Sequence, residues 1–99
     1  PQECESIDEI RAAIDAIDAE VIAALGRRFA YVQEIMRFKR NEADVRAPDR
    51  YAAVLQQRRA WAQEAGLDPA LIAAVYRMLI DHFIAHELSM LSAAGDATP

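Results

Sequence analysis

One cysteine, three glycines and four prolines among 99 residues leave little room for several common kinds of protein. Cys4 stands alone near the N-terminus, so neither a disulfide framework nor a cysteine metal cluster is possible. The glycines are too scattered to build a glycine-rich phosphate loop. Net positive charge is missing as well: the formal charge of -5 argues against nucleic acid, which would want a basic face. The longest apolar stretches are too short and too interrupted to span a bilayer. No signal-peptide pattern is present in the chain as given, so a soluble, cytoplasmic protein is expected. Neither serine nor cysteine has a base placed to activate it, which leaves covalent catalysis without support. There is no internal repeat, and no strand signal strong enough to compete with the helical one.

What the chain does have is helix-forming sequence. A hydrophobic content of 54%, much of it Ala and Leu, fits an all-α protein of one domain over residues 1–99. Three helices account for nearly all of its core, about 6–91. Ser6-Ile7-Asp8-Glu9 is a capping box and starts the first helix, which runs without proline to about Arg40. Gly26 is its weak point, at a cost of about 1 kcal/mol relative to Ala, tolerable if it admits a close neighbour. Asn41 to Ala47 reads as a polar connector. Pro48 suits the first position of a second helix, whose apolar face is Tyr51, Val54, Leu55, Trp61 and Ala62 and which Gly66 stops. Asp68-Pro69 caps a third helix, Leu71 to about Leu91, with Ile72, Tyr76, Leu79 and Phe83 on one seam. Ala93 to Pro99 is expected to fray.

The first helix decides the assembly. About 34 residues give roughly 50 Å, against about 25 and 35 Å for the other two, so one subunit cannot cover it. Its apolar stripe, Ile7, Ile14, Val21 and Ile35, most simply pairs with the same stripe of a second copy across a two-fold axis, giving an intertwined homodimer. A monomeric bundle with a solvated helix end is the alternative.

Arg28 occupies the missing rung of that ladder. A guanidinium stays charged and is costly to bury without an anion, so it asks for a carboxylate, either the protein's or a ligand's. Lys39 lies eleven residues on, three helical turns, hence on nearly the same face about 16 Å away. Arg11 shares the face but is about 42 Å from Lys39, too far to join it within one chain. In an antiparallel pair the Arg11 of the partner chain approaches Arg28 and Lys39, and the two-fold makes two such sites.

Glu87 falls on the third-helix stripe Tyr76, Ile80, Ile84 and Leu91, where an apolar residue is expected. Either it is the counter-ion of Arg28, or it is a carboxyl whose pKa is raised by desolvation so that it donates a hydrogen bond. Arg58 and Arg50 on the second helix read, on pattern alone, as snorkelling or solvated side chains. His82 and His86 have the i, i+4 spacing of a metal pair, yet Glu87 points about 100° away and no third ligand follows, so no metal is expected. What is left is a cationic pocket in an apolar helical dimer, suited to a small dianion or dicarboxylate.

The run Ile10-Arg11-Ala12-Ala13-Ile14-Asp15-Ala16-Ile17-Asp18, then Leu25-Gly26-Arg27-Arg28, Arg37-Phe38-Lys39, Ala47-Pro48-Asp49-Arg50 and Ile84-Ala85-His86-Glu87, resembles the all-helical chorismate mutase family. Within it the chain looks most like the isochorismate pyruvate lyases of salicylate and siderophore biosynthesis. The resemblance covers about residues 4–91, and the ordered set at these spacings is specific. It implies an intertwined homodimer in which Arg11 crosses from the partner and, with Arg28, binds the two carboxylates of chorismate or isochorismate. Lys39 is then expected to hold the ether oxygen and a neighbouring carboxylate, and Arg50 to close over the substrate. Lys39, Glu87 and Arg28 make up the catalytic set.

Two departures stand out. The lyases usually carry Gln at the position of Glu87; a Glu donates to the ether oxygen only when protonated, as in the fungal mutases of the family. At Tyr51 the dedicated mutases have a Glu that takes the hydroxyl of chorismate, and the lyases lack it too. The implied reaction is pericyclic, isochorismate to salicylate and pyruvate with chorismate mutase activity beside it, or chorismate to prephenate as the main activity. Neither needs a cofactor or a metal. The competing reading, a non-catalytic helical dimer, has to balance Arg11, Arg28 and Lys39 with little more than Glu87 and Asp18.

Overall fold

The structure, a computed structural model, describes residues 2–96. It divides into two compact units, Pro1–Glu34 and Ile35–Pro99.

The first unit is almost entirely one helix, α1 (Ile7–Ile35). Its start is the expected capping box with a one-residue offset. Ser6 Oγ accepts the Glu9 N–H at 3.1 Å, while the Glu9 carboxylate takes the N–H of Glu5, at 2.8 Å, in place of that of Ser6. Six alanines between Ala12 and Ala24 carry the helix forward at low conformational cost. No residue of α1 is buried, and the rungs Ile7, Ile14 and Val21 are 59%, 51% and 51% exposed. A β-carbon built on Gly26 meets nothing within 4 Å among the described residues, so no neighbour within the chain requires that glycine.

In the second unit the helical path breaks earlier than the sequence suggests. α1 ends at Ile35, a single 3-10 turn follows over Met36–Phe38, and Lys39 is extended, with φ -92° and ψ 127°. The break has a local cause. Asn41 and Asp44 offer side-chain oxygens to nearby amides, and such bonds compete with helix continuation. They nucleate a one-turn helix inside the expected connector, α2 (Glu42–Arg46), capped by Asn41 Oδ1 on the Asp44 N–H at 2.9 Å. Since Lys39 has left the helix, its three-turn register with Arg28 does not hold.

Ala47 closes α2 and opens α3 (Pro48–Glu64) in the left-handed region at φ 37°. The end of α3 is a Schellman closure: Gly66 at φ 76° donates to the Gln63 carbonyl and Leu67 to the Ala62 carbonyl. Asp68 Oδ1 accepts the Ala70 N–H at 2.9 Å and starts α4 (Pro69–Asp96). α4 outruns its expected end near Leu91. Ala and Ser sustain helix after the apolar periodicity stops, so the helical path runs on from Ala93 to Asp96; the last three residues of the expected tail lie outside the described residues.

α3 and α2 both pack on α4. Val45 of α2, Val54, Leu55 and Ala62 of α3, and Ala73 of α4 are the buried apolar residues among those described. Trp61, expected on the inner face, is half exposed at 50% and instead lies under the Arg58 guanidinium, 4.7 Å from its ring centroid, with Tyr76 of α4 at 5.5 Å. Arg58 is thus half-buried with its guanidinium beside two aromatic rings and its Nε buried without a hydrogen-bond partner among the described residues, so its head is not held in water as snorkelling requires.

Candidate active site

Glu87 is the one buried charged residue among those described, only 6% exposed. It is placed by α4, which brings it inward on the same stripe as the half-buried Ile80, Ile84 and Leu91. Burial raises its carboxyl above the ordinary range, because desolvation penalises the charged form. The Lys39 ammonium and, after it, His86 pull in the other direction. The site therefore contains a carboxyl biased toward its protonated, donating form and a cation close enough to oppose that bias.

Lys39 comes from the extended residue after the 3-10 turn and is half-buried. Its Nζ donates to the Asp44 carbonyl at 2.5 Å. Asp44 in turn accepts the Arg40 backbone N–H at 3.0 Å and the Arg40 Nε at 3.4 Å on one carboxylate oxygen. These donors, the backbone N–H first, hold its carboxyl below the usual range. Sequence reasoning missed this cluster by treating 41–47 as plain connector. The signal was present: Asn41-Glu42-Ala43-Asp44 has the spacing of a capping box, and Asp44 reaches the amide before the cap, as Glu9 does in α1.

Arg50 sits exposed in the first turn of α3, after Pro48. Beside it, Tyr51 was also missed as a structural bridge. Its hydroxyl donates to Asp81 Oδ1 across α3 and α4 at 2.7 Å, and that hydrogen bond raises the phenol above its ordinary pKa. Tyr51, Asp81 and Arg46 give the polar lining of a cavity of about 500 Å³ whose other walls include Leu55, Ile84 and Leu88. His82 is exposed and lies edge-on to its neighbour Phe83, with ring centroids 5.4 Å apart.

The two remaining cations belong to the first unit. Arg28 is half-buried and Arg11 exposed, both on α1. Seventeen residues of helix separate them, about 25 Å, so one α1 cannot bring both to a single small ligand. In chemical terms the second unit offers an ammonium beside a protonatable carboxyl, and α1 offers guanidinium groups that take carboxylates bidentately. Within the second unit the ammonium and the protonatable carboxyl can each donate to an oxygen that gains negative charge.

The chain matches the model of the family described as chorismate mutase type II over residues 10–88. It is 42% identical over 88 residues to the isochorismate pyruvate lyase of Pseudomonas aeruginosa, covering 89% of this chain and 87% of that protein. The T-protein of Haemophilus influenzae is 32% identical over 84 residues, 84% of this chain but 22% of that protein. The 4-amino-4-deoxychorismate mutase of Streptomyces pristinaespiralis is 28% identical over 94 residues, 94% of this chain and 73% of that protein. The family match spans the segment that carries Arg11, Arg28, Lys39, Arg50 and Glu87. The chain therefore belongs to the chorismate mutase type II family and is an enzyme of that kind.

Proposed function

We propose that the main reaction is the isochorismate pyruvate lyase reaction, with chorismate mutase activity beside it, and that residues 1–99 act as one domain in a homodimer. The observation that carries the lyase reading is the 42% identity to a lyase across 87% of that protein. Tyr51, a phenol tied to Asp81 where dedicated mutases present a carboxylate, favours it further. In the lyase reaction the C–O bond between ring and enolpyruvyl group breaks as a ring hydrogen passes to the methylene carbon of that group. The ring becomes salicylate and the side chain pyruvate, so atoms balance without water, metal or cofactor. Chorismate would instead exchange its C–O bond for a C–C bond and give prephenate.

The protein's part is to fold the side chain over the ring and to stabilise negative charge on the ether oxygen, terms worth several kcal/mol together. Arg11 of one subunit and Arg28 of the other would clamp the carboxylates, with Arg50 closing over them. Lys39 and protonated Glu87 would both donate to the ether oxygen. What supports the dimer is the exposed stripe of α1, apolar side chains left in water by the single chain. The separation of Arg11 from Arg28 along one helix supports the crossing. No described helix is long and apolar enough to cross a membrane, which fits a cytoplasmic enzyme supplying salicylate.

The test is direct. The purified protein is incubated with isochorismate and, separately, with chorismate, and salicylate and prephenate are followed. Faster release of salicylate supports the lyase assignment, faster formation of prephenate makes the protein mainly a mutase, and no turnover of either sinks both.

A further inference from the structure

Lys39 stands on a non-helical residue at the end of a four-carbon stem, where an ammonium ordinarily samples many positions. Here its Nζ is fixed on the Asp44 carbonyl. That acceptor is open because of Pro48: in a continuing helix the Asp44 carbonyl would take the N–H of residue 48, and proline has none. The carboxylate of the same residue is turned elsewhere, onto the N–H and Nε of Arg40, and the attraction of the Lys39 ammonium is the smallest of the effects on it. Asn41 Oδ1 holds the Asp44 N–H, and the neighbouring Val45, 4% exposed, anchors α2 in the core beside α4, the helix that carries Glu87.

We infer that Asp44 is a positioning residue: it fixes the Lys39 ammonium through its backbone carbonyl while Arg40 occupies its carboxylate, so that the cation faces the Glu87 side of the site with its charge available to an incoming anionic oxygen. A neutral carbonyl is the appropriate holder, since a substrate oxygen bearing negative charge displaces it easily, whereas a carboxylate would compete. The assignment of Lys39 to the ether oxygen rests on the proposed function; the positioning itself does not.

The experiment compares wild type, Asp44→Ala and Asp44→Asn by two readouts. Steady-state turnover of isochorismate gives kcat and KM, and NMR of the Glu87 carboxyl carbon gives its titration midpoint, with Lys39 and His86 as the charged groups that act on it. Circular dichroism establishes that the variants fold. Asp44→Ala should lower kcat on the order of tenfold to a hundredfold, with KM changed less, because misplaced groups lose transition-state stabilisation. It should also raise the Glu87 midpoint, since a freed ammonium opposes protonation less. Asp44→Asn keeps an acceptor for the Arg40 N–H and should restore most of both. Wild-type kcat and an unmoved midpoint in Asp44→Ala overturn the inference, as does failure of Asn to rescue. Should the wild type turn over neither substrate while the midpoint still moves, the proposed reaction falls and the positioning role stands.

Discussion

Replacing Glu87 by Gln separates a hydrogen-bond donor that depends on pH from one that does not. On the proposed mechanism only the protonated carboxyl of the wild type donates to the ether oxygen, so kcat should fall as pH rises through the pKa of Glu87 in the substrate complex. Above that pKa each further pH unit removes about nine-tenths of the remaining protonated form, a tenfold loss of rate per unit. In the free protein burial holds this carboxyl above the ordinary range against the opposing pull of Lys39 and His86. The amide of Gln donates at every pH, so the alkaline limb should flatten and activity near pH 8 should exceed that of the wild type.

The same substitution has a signature in stability. A carboxyl whose pKa is higher in the folded protein than in the unfolded chain binds more protons when folded, so its contribution is present below the unfolded pKa and is lost as pH rises through the folded one. Glu87→Gln should therefore raise the melting temperature at pH 8 and change it little near pH 4. The assays are a pH profile of kcat from pH 5 to 9 and thermal unfolding at both ends. Identical profile shapes for the two proteins would remove Glu87 from the reaction, and a melting temperature lowered at pH 8 would make it a structural ion-pair partner instead.

Arg28→Ala removes a half-buried cation expected to hold a carboxylate; turnover should be lost while circular dichroism and dimer mass stay as in the wild type, and an unfolded variant would mean the arginine is a structural ion. Arg11→Ala and Arg28→Ala subunits, each inactive alone, should recover activity when exchanged into mixed dimers, since one of the two sites then keeps both arginines; exchange without recovery refutes the shared site. Ala47→Gly should stabilise the protein by up to about 1 kcal/mol, seen as a higher denaturation midpoint, because Ala47 holds φ 37° where glycine is unstrained.

The three long helices were legible because their signals are local and redundant. The Ser6 and Asp68 caps, Pro48 at an N-terminus and Gly66 at a C-terminus each act within one turn, and each is found in its expected role. The break at Ile35 was not legible. No glycine or proline marks it, and the cause lies six to nine residues downstream, in Asn41 and Asp44, whose side chains win amides that an uninterrupted helix would have used. Periodicity counts apolar positions and is blind to that competition. The same blindness let α4 be cut short, since Ala and Ser continue a helix without adding to its stripe.

The candidate site drew attention for a different reason. An ionisable residue on an apolar stripe is expensive, so Arg28 and Glu87 announced themselves by violating the pattern that builds the helices. Glu87 is indeed buried, and the cost of that burial is visible as a raised pKa. Asp44 violates nothing: a polar residue in a polar connector is unremarkable until the backbone is seen to turn around it. A residue that bears charge into the core, as Glu87 does, is thus readable from spacing, while a residue that aims such a charge acts through carbonyls and amides that every sequence shares. Which carbonyl is left open is decided by the one side chain that removes an amide, here Pro48, and that is where a search for further positioning residues in such connectors should begin.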